Sequence, residues 1–371
     1  MIKKRRYNKS VYALALLSTL AGQAFAADGW KVRFPLSGSL GGEIVASKLV
    51  SGVYGSVVAT QVEVDKVTGD DGQTLTVPKV GPFSTAPNLV AGAVRSASYS
   101  GTVTMDVKQS QTVGNILLGY LSESEYAGGR LNLTVNIPYM SLNRTLNASG
   151  ATPALTALTP AVPAPSTAVV QATVQGQFST AYQAQLAASS VAASGTAAGL
   201  GDIELTGAWV QATDDMKLVV GATLALPTGK YDQSNPLSIG YGNFYTLRPG
   251  GAVSVKPNED LTLGARASMG INSGNTDNGV RSGNFWALDL AAAYRTPVGV
   301  FGPHLMQVTQ YEDDQGGAFG ANRFNATGAG VFFTTLIEPI SAGLNISYMK
   351  MVDSRNALSG SFLQLRLTKA F

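Results

Sequence analysis

The chain has 371 residues, is 45% hydrophobic but only 13% charged, and carries 42 glycines and no cysteine. Average domains hold roughly 25% charged residues, so this composition does not suit an ordinary soluble surface, and disulfide-framework folds are excluded. The formal net charge is +3, yet five basic residues fall within the first nine positions, so the balance gives no evidence for a nucleic-acid surface.

Those five residues, Lys3, Lys4, Arg5, Arg6 and Lys9, precede an apolar run over 11–21 and the small-residue pair of Ala24-Phe25-Ala26. This order of charge, apolar run and cleavage motif predicts a secretory signal peptide over 1–26, too short in its apolar part to cross a bilayer as a helix. The remainder, 27–371, reads as one domain. Without the signal the formal charge becomes slightly negative. Residues 28–51, with Trp30, Phe34 and Leu36 among glycines and serines, are expected to tuck into the interior of that domain.

No later segment is long and apolar enough for a spanning helix, whereas alternation of period two is widespread. Along 130–139 it sets Leu131, Leu133, Val135, Ile137 and Tyr139 against Asn132, Thr134 and Asn136. Along 261–272 it sets Leu261, Leu263, Ala265, Ala267, Met269 and Ile271 against Thr262, Arg266, Ser268 and Asn272. A helix would not show this period. Strands are expected to begin near Val53, Thr102, Arg130, Asp202, Met216, Phe244, Leu261, Phe285, Val300, Asn325, Ala342 and Gly360, about twelve in all. A closed barrel is the way for strands to satisfy their backbone across lipid.

The connections alternate in length. Short turns at 213–215, 257–260, 296–300 and 337–341 interleave with longer loops at 228–242, 272–283, 311–323 and 351–359. Outer-membrane barrels show this pattern, with short periplasmic turns and longer external loops. Trp286 and Tyr294 lie on one face, roughly 20 Å apart along the membrane normal, as a pair of aromatic girdles requires. Two insertions, 68–100 and 147–201, are expected outside. The second is rich in Pro, Ala, Thr and Ser, and Phe178, Tyr182 and Leu186 recur in it at helical spacing, marking a candidate lid. The last segment alternates to a terminal Phe371, resembling the assembly signal of outer-membrane barrels.

The fold class is therefore expected to be all-β: a transmembrane antiparallel up-and-down barrel of about 12 strands, with 10–14 open, in the outer membrane of a Gram-negative bacterium. Its expected partners are outer-membrane lipid and lipopolysaccharide, the barrel assembly machinery and small solutes, and no nucleic acid. Gly199-Leu200-Gly201-Asp202, Leu226-Pro227-Thr228-Gly229-Lys230-Tyr231-Asp232 and Gly240-Tyr241-Gly242-Asn243-Phe244-Tyr245 resemble the phenol-degradation (meta-pathway) family of outer-membrane β-barrel transporters. Asp353-Ser354-Arg355-Asn356 is similar too. The resemblance implies a channel for small hydrophobic or aromatic molecules by passive diffusion. Pro227-Thr228-Gly229 itself reads as the end of a strand and the start of a loop.

For a channel the inward face matters. Alternation turns Glu204, Arg248, Lys256, Arg266, Asp289, Arg295 and Arg366 into the lumen. Arg248, Arg266 and Arg366 are the candidates for attracting carboxylates or phenolates, against the alternative that opposite charges pair and fill a narrow lumen. An enzyme is disfavoured: the sequence has a single histidine, His304, expected near the periplasmic end, and no Gly-x-Ser-x-Gly motif. Neither metal-ligand spacing nor a glycine-rich nucleotide loop occurs, so no cofactor is expected. The other reading is a structural or adhesive barrel.

Overall fold

A computed structural model describes residues 33, 40, 50–84, 96–156, 158–159, 161, 166–233, 235, 237–316 and 323–371. The expected signal peptide lies outside these residues. Fourteen strands are described: β1 (Gly52–Val67), β2 (Thr76–Ser84), β3 (Ser96–Tyr126), β4 (Gly129–Ser149), β5 (Gly195–Leu200), β6 (Glu204–Ala212) and β7 (Met216–Ala225). The remainder are β8 (Thr246–Val255), β9 (Leu261–Asn272), β10 (Phe285–Thr296), β11 (Gly299–Gln310), β12 (Asn325–Ile337), β13 (Ala342–Arg355) and β14 (Leu358–Ala370). A helix, α1 (Thr167–Ala192), precedes β5.

Twelve of the strands close an antiparallel barrel in chain order, with β14 returning to β1 and β3 joined to β4. Closure leaves no exposed edge in lipid. The other two strands are additions. β2 pairs with the upper end of β3, and β5 pairs with β4 over 139–144. β2 forms an outer edge, which is where Pro78 and Pro82 can be accommodated, since an edge strand need not donate every backbone N–H.

The outer face records where the membrane ends. On β3 the outward residues below Gly114 are Ile116, Leu118 and Tyr120, and those above it are Thr112, Ser110, Lys108 and Asp106. β4 switches from Leu131, Leu133 and Tyr139 to Ser141, Asn143 and Thr145, and β1 switches from Val57 and Ala59 to Gln61 and Glu63. Ala59, Gly114 and Tyr139 are cross-strand partners, so all three strands change polarity on one level. Above it, Gln61, Glu63, Ser110 and Thr112 hydrogen-bond to one another at 2.7–2.9 Å. Trp286 and Tyr294 both face outward on β10, at opposite ends.

Each expected strand has a counterpart within a few residues. The connection expected at 351–359 differs: β13 and β14 run on to a two-residue turn at Asn356 and Ala357. Asn356 adopts φ 50°, a conformation Asn tolerates better than most residues. The polar run there looks like a loop because the strands have already left the lipid. The insertion at 68–100 likewise contains β2, and residues 96–112 of β3 rise above the polarity switch with β2, the top of β4 and β5 as a tall apron on one side of the mouth.

Candidate functional site

The three sequence motifs meet at one carboxylate. Asp202 follows β5, and its Oδ1 accepts the Gly229 N–H at 2.9 Å while Oδ2 accepts the Tyr241 N–H at 3.3 Å. Gly229 and Gly240 touch through backbone. A Cβ on Gly240 would stand 2.7 Å from the Gly229 carbonyl oxygen, which is why neither position has room for a side chain. The Ile203 N–H donates to Thr228 Oγ1 at 2.8 Å. The turn reading of Pro227-Thr228-Gly229 thus has a geometric basis, since the loop folds back onto Asp202.

Into this cradle comes Arg33, from far upstream in the chain. Its Nη2 pairs with Asp202 at 2.7 Å, and its Nη1 donates to the Phe244 carbonyl at 2.6 Å. The guanidinium lies 4.0 Å from the Phe244 ring centroid. Arg248 Nη1 in turn donates to the Arg33 carbonyl at 2.5 Å, and its Nη2 pairs with Glu204 at 2.7 Å. Leu40 is buried against Ala291, Ala293 and Phe332, with Val300 beside it, toward the opposite end of β10–β12. The expectation that 28–51 tucks inside holds for the two described residues among 28–49; Trp30, Phe34 and Leu36 lie outside the described set. Side chains of the barrel and residues of the N-terminal stretch therefore share the lumen, as a barrel of twelve strands allows.

The other inward charges divide in two groups. Arg266 and Asp289 pair across β9 and β10, with Nε at 2.8 Å from Oδ2. Arg366 is half-buried on the inward face of β14, opposite Asn345 and Val58. Lys256 and Arg295 are exposed at the rim that carries the short turns, where they line a small cleft with Glu259, Asp260 and Thr262. Arg248 with Glu204 and Arg266 with Asp289 are thus brought together in pairs, whereas Lys256 and Arg295 lie at the rim. His304 faces the lumen in the lower part of β11, its ring 6.0 Å from Phe332. The acidic triplet after β11 is engaged locally: Glu312 with Arg281 at 2.9 Å, Asp313 with Arg323 at 2.6 Å, and Asp314 as acceptor for Gly283 N–H at 2.7 Å.

On the side formed by β10–β14 and β3, the outer half of the interior carries an apolar cluster. Phe285, Met306, Val308, Phe324, Met349 and Phe362 point inward from β10–β14 and the adjoining loop, and one continuous cluster joins them to Val103, Met105 and Val107 of β3. Phe178, Tyr182 and Leu186 of α1 complete it, each 2% exposed. The helix lies on the inner side of the apron. Gln175 spans to the Leu155 N–H and the Pro153 carbonyl at 2.9 and 3.0 Å, and the Ala148 N–H donates to Ser190 at 2.9 Å. The i, i+4, i+8 spacing located this face. Asp202 was visible within a motif, but Arg33 and the inner aromatic set were not, because their partners are remote in sequence.

A model of the family described as "Putative MetA-pathway of phenol degradation" matches residues 98–367. The COG4313 outer membrane channel from Pseudomonas putida F1 is similar in structure, with a TM-score of 0.61 at 15% identity over 91% of this chain and 100% of that one. The Ralstonia pickettii toluene transporter TbuX aligns with a TM-score of 0.34 at 12% identity, over 87% of this chain and 90% of that one. A Pseudomonas aeruginosa FadL homologue aligns with a TM-score of 0.34 at 9% identity, over 94% and 97%. No curated protein matches the chain.

Proposed function

We propose, from the premise that this chain belongs to the phenol-degradation family whose model it matches, that it is an outer-membrane channel admitting small hydrophobic or aromatic molecules by passive diffusion. The observation that carries this reading is the apolar cluster inside a closed barrel. A lumen filled only for stability would be served by polar side chains in pairs, as Arg248–Glu204 and Arg266–Asp289 are elsewhere in this barrel. Here the outer half presents Phe285, Met306, Phe324, Met349 and Phe362 inward and continues to α1 at the mouth. Apolar surface lowers the free energy of a hydrophobic solute by about 25 cal/mol for each Å² removed from water, so a lumen with this lining favours that class of molecule.

In this reading α1 acts as a lid through Phe178, Tyr182 and Leu186. Arg248, Arg266 and Arg366 supply positive potential along the path, moderated by Glu204 and Asp289, and Lys256 and Arg295 mark the periplasmic exit. The first 26 residues are removed on export, Phe371 serves recognition by the assembly machinery, and the outward apolar belt meets lipid and lipopolysaccharide. Flux decides the matter. The mature chain is refolded into liposomes, and entry of benzoate, a neutral phenol analogue and a sugar of similar size is timed against empty liposomes. Faster entry of the two aromatics is the expected result. Equal acceleration of all three means a general pore, and no acceleration by the folded barrel sets the channel reading aside.

A further inference from the structure

The inner face of β2 carries Val77, Lys79 and Phe83 toward α1. Lys79 is 4% exposed, and its Nζ has no hydrogen-bond partner and no ion pair among the described residues. It stands 5.1 Å from the centroid of the Tyr182 ring, whose hydroxyl is also buried without a partner. Around them Phe83, Tyr99, Phe178 and Tyr182 form a contiguous aromatic group with centroid separations of 4.8–5.9 Å.

An ammonium in apolar surroundings is costly unless something compensates it. The Tyr182 face compensates it in part through a desolvated cation–π contact. Burial lowers the Lys79 pKa to about 8, so the group remains mostly charged at neutral pH. Burial pushes the phenols of Tyr99 and Tyr182 upward, so neither supplies a counter-charge there. Among the described residues, the titratable groups placed toward Lys79 from β3 and α1 are these two phenols.

We propose that Lys79 and Tyr182 form the anion-recognising end of a binding site beneath α1 for a small apolar carboxylate. The carboxylate accepts from the Lys79 ammonium and the Tyr182 hydroxyl, and the apolar body packs against the ring group of Phe83, Tyr99 and Phe178. A monoanion suits a single cation, whereas a phosphate dianion needs further positive charge. The site rests on the channel reading and deepens it: it names the class of solute captured at the mouth, and the cluster continuous with Phe285 and Met306 receives the apolar body next.

The test is equilibrium dialysis of benzoate and of neutral benzamide against the folded full barrel in detergent. Saturable benzoate binding is expected, weakened roughly tenfold or more in Lys79→Met, as for loss of a charge-assisted contact, and largely kept in Lys79→Arg. Tyr182→Phe, which keeps the ring, is expected to weaken benzoate a few-fold and tests the second contact independently of Lys79. Absence of saturable binding to the wild type, or undiminished binding by Lys79→Met and Tyr182→Phe, overturns the site. Entry of the neutral phenol analogue through Lys79→Met in liposomes is expected to match the wild type. That measurement reports on the channel separately, because it does not need the carboxylate site.

Discussion

Asp202 shows how much one buried carboxylate can hold. It ends the turn after β5, ties down the loop between β7 and β8, and pairs with Arg33 at 2.7 Å with both side chains almost fully buried. Such a pair adds little net stability over an apolar replacement, but removing one partner strands the other, at roughly 3–5 kcal/mol. Asp202→Asn is expected to lower the temperature at which the folded barrel loses its compact gel mobility. It is also expected to raise single-channel conductance, because Arg33 loses its anchor inside the lumen. Unchanged conductance would remove the anchoring role. Arg266 offers the complementary case. In Arg266→Ala the Asp289 carboxylate faces the lumen without its cation, so selectivity moves toward cations, read as a shifted reversal potential in a salt gradient. An unchanged potential means that ions do not pass this pair.

At the scale of elements, α1 is held by packing and by side chains rather than by its own ends. Its N-cap, Ser166, makes no side-chain capping bond, and its first turn has no acidic residue. Its order therefore depends on Val174, Phe178, Tyr182 and Leu186 against the apron. Limited proteolysis of the folded wild type is expected to spare 167–192. Phe178→Ala, which costs about 3–5 kcal/mol at a fully buried aromatic site, is expected to open that stretch to cleavage while the barrel survives. Rapid cleavage there in the wild type would rule out a docked lid. β2 contributes a pH response through Lys79. Its folded pKa of about 8 lies below the ordinary value of 10.5, so between these limits the native state has released a proton that the unfolded chain keeps. Stability then rises with pH across that window, and the penalty is fully present below it. The denaturant midpoint of Lys79→Met should exceed that of the wild type at pH 7, with the gap narrowing by pH 10. A constant gap contradicts the depressed pKa.

For the molecule as a whole, the barrel was legible because its physics is local. Each strand alternates residue by residue, and the periplasmic turns carry their own signals, so Leu261 to Asn272 declares itself without its neighbours. The apron was less legible because its outer face meets water rather than lipid. Above Gly114 the apolar residues of β3 turn inward, so Val103, Met105 and Val107 resemble the core of a soluble sheet, and β2 and β5 were absorbed into insertions. The inward charges could be placed on a face from parity alone. Their pairing could not, since Arg248 meets Glu204 across 44 positions and Arg33 meets Asp202 across 169. The same distance hid Lys79, whose surroundings come from β2, β3 and α1 together.

The height of β3 also determines what the cell presents to its surroundings. The apolar belt of the barrel wall lies in lipid. The apron stands clear of the lipid, with Asp106, Lys108, Asn143 and Thr145 on its outer surface. If the apron faces outward, as the channel reading has it, this ladder is the part of the described barrel that stands furthest from the lipid. Its side chains point away from the packed inner surface, so the outer surface of the apron can change in sequence without disturbing the contacts beneath α1.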